Sequence, residues 1–331
     1  MIKFAIKILL LIVAVSLVLG SAGSLLTDVF NNDENSDAEN LDINTLKSRD
    51  VFSLLVVGRD KVSSLTDVIM LVSFDRSNGR VCVLQVPRDT YAEYGNSSYY
   101  KINGAYKTLG AEGMCDFFED SFGIKLDGYV SLDLEGFRNA VDAVGGVEIT
   151  VEKDLKYNDP SQGLYINLKK GRQTLNGKQA EMLVRYRSGY ARGDLDRLDT
   201  QKRFLAALFL GMKEKINLVN AYSVANGVIP YLETNVSVPL LVSLAISGMS
   251  IDEENICFVT LPGEDAVSSI SGGSFYVMSA SGTKALLDEY FFVTDKGFDK
   301  NGRFLHAKIK KFKEIYNADK EKTVFYINDL K

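Results

Sequence analysis

The chain has 331 residues, 46% of them hydrophobic and 24% charged, with a formal net charge of -5. That is ordinary globular composition, long enough for one large domain or two small ones around a sizeable core. It supplies no global basic field, which excludes a nucleic-acid partner held by bulk charge.

Residues Ile8 to Leu26 carry no charge. As a helix this run is roughly 28 Å long, close to the hydrocarbon thickness of a bilayer. Lys3 and Lys7 precede it, and an acidic stretch with Asp28, Asp33, Glu34, Asp37, Glu39 and Asp42 follows. The expected division is a cytoplasmic tip at 1–7, a transmembrane anchor at 8–26 and an acidic linker at 27–49. The positive flank stays inside, so the rest of the chain lies outside the membrane. A cleaved signal peptide is the alternative, because Gly20-Ser21-Ala22 offers small residues for cleavage. The apolar run continues past that point to Leu26, which favours the anchor.

The folded body is expected over 50–292, with a tail of unassigned role at 293–331. Val51–Val57, Val68–Phe74 and Val81–Val86 read as buried strands, the last two joined by a hairpin turn at Ser77-Asn-Gly79. Gly104–Phe122 turns helical, and Val130–Leu132, Leu134–Val144 and Val147–Val151 read as strand, helix, strand. Gly145-Gly146 ends that helix. A loop holding Asp159-Pro160 leads on to a helix over Lys178–Val184 and then to an arginine-rich extended segment. Helices over Leu195–Lys215 and Pro239–Met249 and a strand over Asn255–Leu261 follow. Continuous apolar strands alternating with helices indicate a layered α/β domain with a covered sheet.

Candidate chemistry sits at the strand ends and in the arginine segment. Arg185 and Arg187, two apart in extended chain, point the same way and suit a multiply charged oxyanion such as a pyrophosphate. Arg197 and Gln201, at i and i+4, share the inward face of the following helix, which continues apolar through Phe204 and Leu208. Surface ion pairing with Asp194, Asp196 and Asp199 is the plainer reading of that run. Asp60 and Asp67 end and begin neighbouring strands, where they either hold one Mg²⁺ or serve as turn residues. Arg88 and Lys101 add a guanidinium and an ammonium in successive loops. Cys82, Cys115 and Cys257 lie far apart without metal-ligand spacing and read as core residues. The single histidine, His306, sits in a basic stretch, which argues against a Ser-His-Asp triad or a histidine-rich zinc site.

The ordered motifs resemble those of the LytR–CpsA–Psr family. They are Leu54-Leu-Val-Val-Gly58-Arg-Asp60, Thr66-Asp67, Val86-Pro87-Arg88-Asp89-Thr90 and Lys101-Ile-Asn103-Gly-Ala105-Tyr106. They continue with Val141 to Ile149, Tyr157 to Pro160, Gly171 to Ala180, Arg185-Tyr-Arg187 and Gly193 to Gln201. The resemblance implies an α-β-α sandwich with a mixed central sheet and an apolar groove for a lipid tail, which Val236–Met249 is apolar enough to help line. It implies an Mg²⁺-dependent phosphotransferase of the cell envelope. The donor would be a polyprenyl-pyrophosphate-linked glycan (teichoic acid, capsule or another wall polysaccharide), and the acceptor a peptidoglycan sugar hydroxyl. By the same resemblance Asp60 and Asp67 bind the metal. Arg88, Lys101, Arg185, Arg187, Arg197 and Gln201 form the pyrophosphate site, and Asp67 is the candidate general base.

Two positions depart from the family pattern. Leu65 and Thr200 stand where arginine is usual, and Arg59 or Lys61 is placed to compensate for the first. The rival readings are a polyprenyl-pyrophosphate-binding scaffold or regulator of envelope assembly, and a hydrolase in which water replaces the acceptor.

Overall fold

The computed structural model describes residues 50–59, 65–160, 163–215, 229–236, 240, 244, 251–268, 271–291, 293, 324–326 and 330. The expected anchor and linker, Asp60, Lys61, His306 and most of the expected helix at 239–249 lie outside them. Among the described residues no helix is long and apolar enough to cross a membrane.

The three apolar runs at the start of the body are strands β1 (Val51–Arg59), β2 (Thr66–Asp75) and β3 (Arg80–Gln85). They pair antiparallel in sequence, with the expected turn between β2 and β3. β4 (Tyr129–Asp133) lies parallel to β1, and β10 (Ile256–Thr260) lies parallel to β3. Short antiparallel strands close both edges, β9 (Leu232–Thr234) beside β4 and β13 (Val324–Tyr326) beside β10. The result is a mixed seven-stranded sheet in the order β13-β10-β3-β2-β1-β4-β9.

Strand alternation sends two sets of side chains in opposite directions. Phe52, Leu54, Val72, Phe74, Val81 and Val83 pack on one face. Helices α2 (Leu134–Ala143), α3 (Gly177–Arg185) and α4 (Asp194–Lys215) cover them through Ala140, Val141, Ala180, Leu183 and Phe204. Leu55, Val57, Ile69, Leu71, Cys82 and Leu84 pack on the other face. There α1 (Ala105–Phe122) and α5 (Ala280–Tyr290) cover them through Met114, Phe118, Leu286 and Leu287. Both faces are dry, so the strands read as continuous apolar runs rather than alternating ones. Cys82 and Cys257 are register partners in β3 and β10, both buried and neither in a disulfide.

Local signals explain the helix starts. The Asp133 carboxylate accepts the Gly136 amide at 2.8 Å to begin α2. Asn176 and Gln179 form a reciprocal capping box on α3. After α2 the chain turns through Gly145 and Gly146, both at positive φ. α1 is kinked rather than continuous, because Gly110 leaves the helical conformation.

The expected loop between Val151 and Leu175 is instead strand-rich. β6 (Leu155–Asp159) pairs with β7 (Leu164–Leu168), and β5 (Val147–Val151) pairs with β8 (Gly171–Leu175). Leu155, Leu164, Ile166 and Leu168 turn inward from this ribbon to the helical layer. A further hairpin, β11 (Gly263–Val267) with β12 (Ser274–Met278), follows β10. The segment assigned no role, 293–331, contributes β13 to the central sheet.

Gly177 is the tightest point between α2 and α3. Its amide donates to the Asp142 carboxylate at 2.7 Å, and a Cβ there would collide with the carbonyl of Arg138 and stand 2.7 Å from its Cα. Gly177→Ala should therefore destabilise the fold by about 1–3 kcal/mol, the usual cost of overpacking. Urea unfolding checks this, and an unchanged midpoint would mean that the two helices part without cost.

Candidate active site

A break in strand pairing creates the centre of the site. Gly58 pairs with Val68, yet Arg59 pairs with Thr66, so Asp67 is an extra residue opposite no partner. Such a bulge re-aims one side chain. Asp67 thereby swings toward the helical layer that carries α4. Arg88 reaches it from the turn after β3, with Nη1 2.7 Å from Asp67 Oδ1. The loop between α3 and α4 brings Arg187 to 3.4 Å from the same oxygen. From the first turn of α4, Arg197 lies 3.8 Å from it and donates to the Asp67 carbonyl at 3.4 Å.

A second carboxylate completes the cluster. Asp194, at the start of α4, lies 3.0 Å from Arg197, 3.6 Å from Arg88 and 3.8 Å from Arg187. Its position in the first helical turn suits the helix dipole as well. The three guanidinium groups are thus interleaved with two carboxylates. They are not saturated: the Nε–H groups of Arg88, Arg187 and Arg197 are buried without a hydrogen-bond partner. The Nε atoms of Arg88 and Arg187 face Asp194 Oδ1 at 3.6 and 3.8 Å, so they are ion-paired but not hydrogen-bonded, and a closer anion would satisfy them.

The electrostatics agree. Burial pushes the Asp67 carboxyl up, but Arg197, Arg88 and Arg187 together outweigh it and hold the group below its usual 3.8. Arg187 is pushed down to about 10, first by burial and then by repulsion from Arg197 and Arg88. Burial lowers Arg197 likewise, partly countered by Asp194 and Asp67. The cluster therefore carries positive charge that its own carboxylates only partly balance.

The other expected residues divide. Arg185 is the last residue of α3 rather than part of an extended run, so Arg185 and Arg187 do not project together as the sequence pattern predicts. It binds Glu181 at 2.8 Å, where Arg138 also binds at 2.7 Å, while still lining the cavity beside the cluster. Gln201 donates to the Val184 carbonyl at 3.2 Å, and its buried Oε1 has no partner. Lys101 turns to Asp89 at 3.0 Å, with its ammonium 5.5 Å from the Phe275 ring, and makes no ion pair with Asp67 or Asp194. Asp60 lies outside the described residues. Thr200 faces away from the arginines, its hydroxyl 3.0 Å from that of Tyr190. Asp194 was the site residue that residue-by-residue reading missed. The available signal was an acidic residue opening a helix whose first turn carries Arg197.

Below the cluster a cavity of about 160 Å³ opens between the sheet and helices α2 and α4. Its walls are apolar, formed by Val56, Met70, Leu132, Phe137, Phe204 and Leu208. Asp67, Arg185, Arg197 and Gln201 stand on its rim. Val236, Leu240 and Leu244 pack in the core instead of on this wall. The arrangement pairs a cationic head site with an apolar slot. Among the described residues no group of three or more His, Cys, Asp or Glu is gathered to hold a metal ion.

Comparison with known proteins gives one consistent answer. The model of the LytR_cpsA_psr family matches residues 20–290. The polyisoprenyl-teichoic acid–peptidoglycan teichoic acid transferase TagV of Bacillus subtilis is 31% identical over 56% of this chain and 50% of its own length. The cell wall biosynthesis protein LcpA of Corynebacterium glutamicum is 30% identical over 78% of this chain and 53% of its own. The chain thus spans about half the length of these two relatives. The regulatory protein MsrR of Staphylococcus aureus is 29% identical over 73% of this chain and 75% of its own. The crystal structure of B. subtilis TagV superposes with a TM-score of 0.61 at 26% identity, covering 72% of this chain and 96% of that one.

Because Asp67 is held below its ordinary pKa, it stabilises the fold above the unfolded value and loses that contribution as pH falls through the folded one. The thermal midpoint of the chain should exceed that of Asp67→Asn by a constant amount above about pH 5, and the gap should shrink below about pH 4. A gap that does not vary with pH would show that the ion pairs around Asp67 do not couple to folding.

Proposed function

This chain belongs to the LytR_cpsA_psr family, and on that premise we propose that it transfers a glycopolymer from a polyprenyl-pyrophosphate carrier to a peptidoglycan sugar hydroxyl. The observation that carries this reading is the gathering of Arg88, Arg187 and Arg197 around Asp67, with Asp67 and Arg197 also lining an apolar cavity. A ligand matching both halves has a multiply charged anionic head and a hydrocarbon tail. A lipid pyrophosphate is such a molecule. The apolar run at Ile8–Leu26 would hold the domain at the outer membrane surface, where that lipid resides.

In this mechanism the acceptor hydroxyl attacks the phosphorus nearer the donor sugar. The bond from that phosphorus to the bridging oxygen breaks, a phosphodiester forms, polyprenyl phosphate leaves with the bonding pair, and the hydroxyl proton passes to that departing phosphate or to water. Arg88, Arg187 and Arg197 would take the charge that grows on the bridging and non-bridging oxygens. Asp67 is a poor general base, because its arginine neighbours keep it ionised. Its part is to space and orient the guanidinium groups.

Mg²⁺ belongs to the same proposal. It needs only one or two carboxylates when phosphate oxygens and water fill its other positions. Asp67 and Asp194, with Asp60, would be the carboxylates to hold it beside the arginines. When bound, the ion would supply additional neutralisation of phosphate charge.

Leu65 leaves one family cation absent. Arg59 lines the same cavity as Asp67, but its guanidinium lies 3.0 Å from Glu233 and not in the Asp67–Asp194 cluster. Together with the regulatory name of MsrR, this supports a second reading, a lipid-pyrophosphate-binding regulator without turnover.

The test uses the full chain with a polyprenyl-pyrophosphate-linked oligosaccharide, Mg²⁺ and peptidoglycan fragments, following sugar attachment and polyprenyl phosphate release. Arg88→Ala should lower the transfer rate by roughly 10²–10³-fold, the effect of removing one charge-stabilising donor. Asp67→Ala should also abolish most transfer. Tight donor binding without transfer or hydrolysis would select the regulator, and release without attachment would select a hydrolase.

A further inference from the structure

A second cleft, of about 500 Å³, lies on the other side of the α3–α4 loop. That volume falls in the range of about 300–1,000 Å³ usual for small-molecule sites. The loop is built from two successive turns. The Tyr190 amide donates to the Arg187 carbonyl at 3.3 Å, and the Gly193 amide donates to the Tyr190 carbonyl at 3.4 Å. A turn of this kind brings its end residues within about 7 Å between Cα atoms. Arg187 and Asp194 therefore hold the ends of the loop in the arginine cluster, while Tyr190 and Arg192 line the cleft. The two sites share one short piece of backbone.

Their charge differs. Glu152, Asp196 and Asp199 line the cleft against Lys153, Arg192 and Arg203, so its acids and bases balance. Each is tied to a partner: Arg192 lies 2.7 Å from Asp196 and also binds Asp199, Arg203 binds Glu152, and Lys153 donates to the Gly189 carbonyl at 2.7 Å. Asp199 is fixed from beneath by Lys202, which is only 2% exposed and stands 2.7 Å from it. That buried ammonium also donates to Thr260 at 3.1 Å and sits 4.4 Å from the Phe325 ring, on the cleft wall. Tyr190 contributes an aromatic wall whose hydroxyl is anchored to Thr200. A neutral cleft with an aromatic wall and many fixed donors and acceptors suits an uncharged polyhydroxylated ligand better than an anion.

We propose that this cleft binds the acceptor glycan, as an uncharged sugar segment whose free hydroxyl is presented across the turn to the arginine cluster. The assignment rests on the transferase reading for its role, but the binding it asserts is separable from turnover. Position 200, which faces this cleft, then tunes acceptor choice rather than pyrophosphate affinity.

The experiment titrates the full chain with a soluble tetramer of N-acetylglucosamine and, separately, with inorganic pyrophosphate, by calorimetry or ligand-observed NMR. Arg192→Ala, a substitution at an exposed side chain, should weaken the tetramer by about tenfold and leave pyrophosphate affinity unchanged. Arg88→Ala should do the reverse. Asp199→Asn, read with its unfolding midpoint, gives a second variant for the same cleft. Tetramer binding that is absent from the native chain, or equal in native and Arg192→Ala chains, overturns the proposal, as does tighter binding of a polyanionic oligosaccharide. Tetramer binding that follows this pattern in a chain showing no transfer upholds the cleft and removes only the transferase reading.

Discussion

Three guanidinium groups repel one another, and Arg88, Arg187 and Arg197 are held together only because Asp67 and Asp194 stand among them. Each comes from a different part of the chain, so the cluster also joins the sheet to the helical layer. Two carboxylates suffice to assemble it but do not saturate it, as the lowered pKa of Arg187 and the Nε–H groups without hydrogen-bond partners record. An anion placed among them would take up the remaining positive charge. Its electrostatic cost is borne by the apolar core beneath, where the strands are covered on both sides.

The α3–α4 loop gives the site two faces of different charge. Toward the cluster it presents Arg187 and Asp194 in a setting with excess positive charge. Toward the outer cleft it presents Tyr190 and Arg192 in a balanced one. In the proposed reaction donor and acceptor are told apart by this difference, before any fit of sugar rings is considered. A shared backbone places the two sites within two turns of chain of each other.

Much of the layered architecture was legible in the sequence, because β1, β2, β3 and β10 are buried on both faces and therefore read as unbroken apolar runs. The ribbon from Leu155 to Leu175 was not, because its strands are largely exposed and its polar residues resemble a loop. Nor was the edge strand at Val324–Tyr326, too short to carry a periodic signal. At the candidate site, residue type and order singled out Asp67, Arg88, Arg187 and Arg197, which the fold brings together. The bulge that turns Asp67 inward depends on pairing register, which a sequence pattern does not reveal. Arg185 and Lys101 were rightly seen as cations, but Glu181 and Asp89 claim them through contacts invisible before folding.

The edge strand β13 has a consequence for the order of assembly. β10 pairs with β3 on one side and with β13 on the other, and both partners lie far from it along the chain. Contacts of such long sequence separation form late, since loop-closure entropy must be overcome first. Until Val324–Tyr326 arrives, β10 presents an open ladder of unpaired amides along that edge, a template for pairing with another chain. Val324–Tyr326, whose Phe325 also lines the outer cleft, thus acts as a closing latch against misassembly, so fragments lacking it should be the ones that aggregate.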